Sequence, residues 1–214
     1  MSILFTQHWD IIPGSESEYA QFITDRYIPE TAGKSFYPVG GYYVEVGFGP
    51  KIVAVYAAES LAQLTEVVGT PKFKELTLTL KSLVYNYVSG VYEPTGNVKH
   101  NNYSIQKGVW KFKQYYDLKP GAKKEYADFV INEHIPTMNK ISFVEVTGGW
   151  NVLIGGMSEI IAEFTFKDAM DVGRLLMNED YRRITQKLRT EYATNYASRV
   201  LRSTERFDEP RWFK

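Results

Sequence analysis

The sequence predicts an α+β chain made of two copies of one βαββαβ unit. Three observations predict it. A set of residues recurs at a spacing of 107 to 108 positions. Strand and helix periodicities alternate inside each copy. Aromatic residues make up 15% of the chain and fall at matched places in the two copies.

The repeat is visible before any secondary structure is assigned. Pro13-Gly14 returns as Pro120-Gly121, and Glu18, Tyr19, Ala20 and Phe22 return as Glu125, Tyr126, Ala127 and Phe129. Ile28-Pro29 meets Ile135-Pro136, Gln7 meets Gln114, and Asp10 meets Asp117. One inserted residue later, Gly40-Gly41 meets Gly148-Gly149, Val44 meets Val152, and Leu80 meets Leu188. The first repeat covers residues 1–96 and a polar, turn-rich linker covers 97–104. The second repeat covers 105–204, and an aromatic tail, 205–214, follows.

The elements follow in order. Residues 3–11 alternate as a strand with Phe5 and Trp9 on one face. Pro13-Gly14 turns the chain, and Ser15 with Glu18 predicts a capping box. Tyr19, Phe22, Ile23 and Tyr27 keep helical spacing, and Pro29 predicts that helix's end, because the residue before a proline avoids helical dihedrals. Residues 40–48 and 51–58 form a hairpin around Gly47-Phe48-Gly49-Pro50. Leu61, Leu64, Val67 and Val68 mark a short helix. Thr70-Pro71 opens another to about Ser82, with proline at the first helical position. Residues 84–92 close the unit as a strand, and Asp168 and Asn178 cap the matching helices of the second copy. Each copy is thus ferredoxin-like, with helices on one sheet face. Two such sheets bury their other faces by packing sheet to sheet within the chain.

Composition excludes several classes. Lys plus Arg is 25 and Asp plus Glu is 25, so no net positive charge serves a phosphate backbone or an anionic lipid surface. Cysteine is absent, which removes disulfides and thiolate metal sites. No apolar run reaches the 18 or so residues of a membrane span. The expectation is a cytoplasmic protein that binds no nucleic acid and no membrane. No glycine-rich phosphate loop opens a helix after a strand, and no nucleophile elbow occurs. Three histidines, none four residues from another, predict no metal site. No cofactor is expected.

The strand ending near Trp9, the helix closed by Tyr27-Ile28-Pro29, the hairpin after Gly40-Gly41 and the turn Thr70-Pro71-Lys72-Phe73, matched by Asn178-Glu179-Asp180-Tyr181, resemble the dimeric α/β-barrel superfamily. Within it stand NIPSNAP-like proteins, antibiotic-biosynthesis monooxygenases and EthD-like proteins. The resemblance implies an α/β barrel closed within one chain, with a homodimer of such chains an expected assembly. It implies a pocket between sheet and helices, lined by the first strand and first helix. The superfamily holds monooxygenases, isomerases, lyases, haem enzymes and proteins without a known reaction, so it implies no single activity.

That pocket position selects the candidate residues. Ile3, Phe5, Gln7 and Trp9 share one strand face, matched by Trp110, Phe112, Gln114 and Tyr116. A glutamine inside an aromatic strip either ties the strand to its neighbours or orients a polar ligand. Gln7, Trp9, Gln114, Tyr116, Phe22 and Phe129 are the candidate substrate-binding residues, and His134 with its counterpart Tyr27 the candidate catalytic pair. His134 is expected at a helix C-terminus, which favours imidazolium. Axial haem ligation by His134 is the remote alternative. His8 faces the other side of the strand, toward the sheet–sheet interface. Glu163 is expected to meet water or an arginine, and His100 in the linker has no assigned role. Three functions follow: a cofactor-independent monooxygenase- or isomerase-like enzyme acting on a small aromatic or lipophilic molecule, a binding protein using the same pocket, and an oligomerising protein whose aromatics are core.

Overall fold

A computed structural model describes residues 3–33, 36–98 and 108–204. His100, most of the linker and the aromatic tail 205–214 lie outside the described residues.

The first repeat runs β1 (Ile3–Ile11), α1 (Glu16–Phe22), α2 (Ile28–Thr31), β2 (Phe36–Gly47), β3 (Ile52–Ala58), α3 (Leu61–Gly69), α4 (Pro71–Leu83) and β4 (Val84–Pro94). The second runs β5 (Trp110–Leu118), α5 (Lys123–Phe129), α6 (Ile135–Asn139), β6 (Glu145–Gly155), β7 (Ile160–Phe166), α7 (Ala169–Met177), α8 (Glu179–Lys187) and β8 (Ala193–Ser203). All eight strands form one closed antiparallel barrel in the order β1-β3-β2-β8-β5-β7-β6-β4. Each half keeps the ferredoxin-like order, and two seams join the halves. At one, Tyr42 pairs with Ser203, and at the other, Tyr92 pairs with Val152. The seams consume every sheet edge, so the barrel exposes no unpaired strand among the described residues.

The alternation of β1 and β5 sorts side chains between two environments. Phe5, Gln7 and Trp9 point to the helices, as do Phe112, Gln114 and Tyr116, and join three helix-side cores. Leu4 and Tyr115 point into the lumen, with Tyr42, Tyr92 and Trp150. Three caps hold as expected: the side chains of Thr70, Asp168 and Asn178 accept from the backbone N–H groups of Phe73, Met170 and Tyr181.

Two expectations are corrected. Ser15 makes no side-chain cap bond; Glu16 turns back instead and its carboxylate accepts from Gly14 N–H at 2.9 Å. Pro29 does not end the helix. A π turn at Ile23–Tyr27 widens the backbone, and Ile28 keeps helical dihedrals as the chain continues through Pro29 to Thr31. The wider turn relieves the clash that proline makes in a regular α-helix. The second repeat does the same with a π turn at Val130–His134 ahead of Ile135-Pro136.

A third π turn, Leu188–Tyr192, has no partner in the first repeat. There the repeat offset moves from 108 (Leu80 to Leu188) to 109 (Asn86-Tyr87 to Asn195-Tyr196). One extra residue in helical context is accommodated as a π turn. Beyond it, Asn86 and Asn195 both adopt left-handed backbone with φ of 53° and 51°. Their side chains donate to Asp10 and Asp117, at 3.0 and 2.8 Å. These contacts sit where β1 and β5 bulge against β4 and β8.

Candidate functional site

The two repeats build the same aromatic frame beneath their helices. Trp9 donates to the Tyr19 hydroxyl at 3.0 Å, and at the matching place the Tyr116 and Tyr126 hydroxyls lie 2.8 Å apart. Trp9 stacks on Tyr87 at 6.4 Å, as Tyr116 stacks on Tyr196 at 6.3 Å. Burial pushes the Tyr116 and Tyr196 phenols well above their usual value and Tyr126 to about 12, so all three are neutral donors.

The frames differ at their centre. In the first repeat, the Gln7 amide donates to the hydroxyls of Tyr27 and Tyr87, at 2.8 and 2.6 Å. The Tyr27 hydroxyl in turn reaches the Gln7 carbonyl oxygen at 3.0 Å. Every polar atom of Gln7 is occupied. In the second repeat His134 replaces Tyr27 and Tyr181 replaces Phe73. The Gln114 amide now donates to the Tyr181 hydroxyl at 3.0 Å, so the partner has moved from the first helix to α8. Among the described residues its carbonyl oxygen has no partner, nor has Nε2 of His134, although both side chains are buried. Unpartnered polar atoms at such depth are uncommon, and they set the second frame apart from the first.

His134 is not the cation expected at a helix end. The helix continues to Asn139, so no C-terminal dipole acts there. His134 is 6% exposed, against Phe129 and Phe164, and burial lowers it to about 4. It is neutral at ordinary pH.

The concave spaces are equally unequal. Between sheet and first helix the first repeat leaves about 20 Å³, lined by Trp9, Tyr19, Tyr27 and Tyr56. The corresponding space in the second repeat is about 30 Å³, lined by Tyr116, Tyr126, His134 and Phe164. Each has room for a water-sized molecule. A third space is far larger. An open groove of about 660 Å³ lies against α8 and β8, lined by Phe112, Tyr181, Thr185, Arg189, Tyr196 and Ser198. That is the size range of small-molecule sites. The π turn at Leu188–Tyr192 sets the Arg189 guanidinium over the Tyr196 ring at 4.9 Å.

Of the predicted residues, Trp9 and Tyr27 line the small first cavity, and Tyr116 and His134 the second. Phe22 and Phe129 belong to the packed cores. Gln7 is enclosed, whereas Gln114 bonds to a wall of the groove. Sequence reasoning placed the pocket on the first helix and missed α8; the Phe73/Tyr181 exchange was its available signal. The space beside His134 does not fit a haem, because a porphyrin ring far exceeds about 30 Å³. Among the described residues no cluster of three His, Cys, Asp or Glu could hold a metal ion. No described helix is long and apolar enough to cross a membrane.

The lumen carries an unforeseen set of charges. Glu163 meets not an arginine but two lysines, Lys111 at 2.7 Å and Lys113 at 2.8 Å. The three alternate on β5 and its neighbour β7, which directs them inward together. Burial opposes the Glu163 charge, but the two ammonium groups hold the carboxyl far below its usual range. His8 faces the lumen as expected, 3% exposed, with Nδ1 3.3 Å from the Arg199 guanidinium.

No family model and no curated protein sequence matches the chain. Solved structures do. An anthrone oxidase-like protein aligns with TM-score 0.66 and 11% identity over 95% of this chain and 91% of its own. A chlorite dismutase variant from Candidatus Nitrospira defluvii aligns at 0.64 and 9% identity, covering 97% and 92%. A candidate monooxygenase from Lactobacillus acidophilus aligns at 0.62 and 10% identity, covering 94% and 92%. At such identity the likeness concerns fold. The chain has the dimeric α/β-barrel fold, with both ferredoxin-like halves in one polypeptide.

Proposed function

We propose that the chain is a small-molecule-binding α/β barrel whose working site lies in the second repeat. The ligand has an aromatic body and a polar or anionic group. The observation that carries this is the difference between the two glutamines: Gln7 is closed by tyrosine hydroxyls, whereas the Gln114 carbonyl oxygen and His134 Nε2 are buried without partners. The groove beside Gln114 supports the same reading. Phe112, Tyr181 and Tyr196 offer aromatic walls, and Arg189, Thr185 and Ser198 offer polar ones. This is more polar than the lipophilic pocket the strand pattern implies.

A specific observation favours turnover as a second reading. The space beside His134 suits a water or a dioxygen molecule, while the groove suits an organic ligand. Neutral His134 could take a proton from a ligand hydroxyl, with the resulting anion offsetting the cost of a buried imidazolium. The anthrone oxidase-like neighbour makes anthrones and related phenols a reasonable first panel.

Binding is tested by titrating phenolic acids and anthrones against the intact protein, following tryptophan fluorescence. Saturable binding that Tyr181→Phe and Arg189→Ala weaken, and Tyr87→Phe leaves alone, supports the reading. Equal effects of all three, or no binding, would sink it. Oxygen uptake lost in His134→Ala but not in Tyr27→Phe would support turnover.

A further inference from the structure

One wall of the open groove is a single helical face. Arg182, Thr185 and Gln186 of α8 and Arg189 of the π turn that ends it fall at i, i+3, i+4 and i+7, and all four line the groove. Cations nearby that do not line it have carboxylate partners. Arg174 meets Asp171 at 2.9 Å, Arg183 meets Asp180 at 2.6 Å, and Lys187 meets Glu133 at 2.8 Å. Among the described residues Arg182 and Arg189 form no ion pair, and no Asp or Glu lines the groove.

A face that served only as solvated surface would carry lysine as well as arginine. The first repeat, 108 positions earlier, does carry lysine: its copy of this face reads Lys74, Thr77, Leu78 and Lys81, beside Phe73. In the second repeat these become Arg182, Thr185, Gln186 and Arg189, beside Tyr181. Each of the four exchanges adds hydrogen-bonding groups. The two from lysine to arginine add a planar fork, which matches a carboxylate by two parallel bonds as an ammonium cannot.

The fork of Arg189 is also held in place. Its guanidinium lies 4.9 Å over the Tyr196 ring, and that ring in turn stacks on Tyr116. A ligand therefore has little side-chain freedom left to remove there. The position on the helix limits the ligand's charge. Arg189 stands where α8 ends, and a helix C-terminus offers spare carbonyls rather than N–H donors. Its partial negative charge opposes a second charge on the ligand, so a carboxylate fits better than a dianionic phosphate. Opposite the cations, Phe112 and Leu176 give the groove an apolar side, and Leu176 is 46% exposed at its rim.

We propose that the groove binds an aromatic monocarboxylate. The carboxylate pairs with the Arg189 fork, Arg182 adds its charge from two turns away, and the ring lies against Phe112 and Leu176. This rests on the groove being the working site of the second repeat, and it narrows the ligand there from any phenol to an acid.

The test titrates 2-naphthoate and its neutral amide, 2-naphthamide, against the full chain at pH 7 by calorimetry. The acid should bind about tenfold tighter than the amide, the effect of one charge-assisted contact. Added salt should weaken the acid and leave the amide alone. Arg189→Gln should bring the acid down to the level of the amide. Arg189→Lys keeps the charge without the fork and should still cost the acid several-fold. Lys81→Gln, at the matching place in the first repeat, should change neither affinity. Amide binding in each variant reports whether the groove itself is intact. Equal affinity for acid and amide, or acid binding that survives Arg189→Gln, would overturn the carboxylate while leaving an aromatic-binding groove. Failure of both compounds to bind would overturn it together with the reading on which it rests.

Discussion

Tyr27 and His134 occupy one position in two repeats, the last residue of a π turn before an Ile-Pro pair, and only Tyr27 reaches its strand's glutamine. Restoring tyrosine should therefore close the second site. In His134→Tyr the new hydroxyl can donate to the idle Gln114 carbonyl oxygen, so stability should rise by about 1 kcal/mol. Urea unfolding of the variant measures this. A loss of stability would show that the two helices hold this position differently. The converse change, Tyr27→Phe, strands the Gln7 carbonyl oxygen and should cost about 1–3 kcal/mol.

Acid should weaken the fold in two overlapping windows. Burial lowers His134 to about 4 and His8 to about 3, while an unfolded chain protonates its histidines near 6.5. Between about 6.5 and 4 the unfolded state binds more protons, so stability falls as pH falls. For His134 the loss by pH 4 is on the order of 3 kcal/mol. Glu163 acts lower: its depressed carboxyl stabilises the fold above the ordinary carboxylate range and loses that contribution as pH drops through it. Urea midpoints from pH 7 to 3.5 should show a shallower upper limb in His134→Leu and a shallower lower limb in Glu163→Gln.

Glu163→Gln should itself be strongly destabilising at pH 7. It leaves Lys111 and Lys113 buried in the lumen without the carboxylate they share. The cost of breaking such a buried cluster on one side is about 3–5 kcal/mol. Replacing all three residues together by leucine or methionine should recover most of it. A mild effect of Glu163→Gln on the thermal midpoint would mean that the lysines escape to water.

The left-handed asparagines should discriminate between glycine and alanine. Asn195→Ala forces a Cβ residue into left-handed backbone without the Asp117 contact and should cost about 1–2 kcal/mol. Asn195→Gly keeps the backbone accessible and should cost less. Asn86 should behave alike against Asp10. Equal costs for both substitutions would assign the effect to the side-chain bond alone.

Much of this fold is legible in sequence because its signals are local. Thr70-Pro71, Asp168 and Asn178 announce helix starts by their own chemistry. The paired Pro-Gly and Gly-Gly steps announce the repeat. The closed barrel was readable as two sheets facing each other, though not which strands form the seams, because β2–β8 and β4–β6 pairing depends on distant contacts. The continuation past Pro29 was hidden because a π turn has no sequence signature of its own. The 109-residue spacing of Asn86-Tyr87 and Asn195-Tyr196 was visible in principle. It marks the third π turn by the insertion it absorbs.

The candidate site was legible only by halves. Periodicity placed Gln7, Gln114 and His8 on the correct strand faces. It could not show that Tyr181 takes over only Tyr27's part as acceptor from the glutamine amide, since that exchange links residues 47 positions apart in one repeat with a change at a third place. Nor could it show His134 neutral, because the helix end that would favour its charge is not there. Charge at Glu163, Lys111 and Lys113 falls at alternate strand positions, which is also the pattern of a solvated face. Only closure of the barrel turns that face inward.

The two seams that close the barrel have a genetic consequence. In a barrel assembled from two identical chains, any substitution appears in both halves at once, and each half must tolerate it. Here both halves are written separately in one polypeptide. The lumen charges Lys111, Lys113, Glu163 and Arg199 all come from the second half, and so does the opened glutamine. A single-chain barrel can specialise one half while the other preserves the frame, a route closed to its symmetric counterparts.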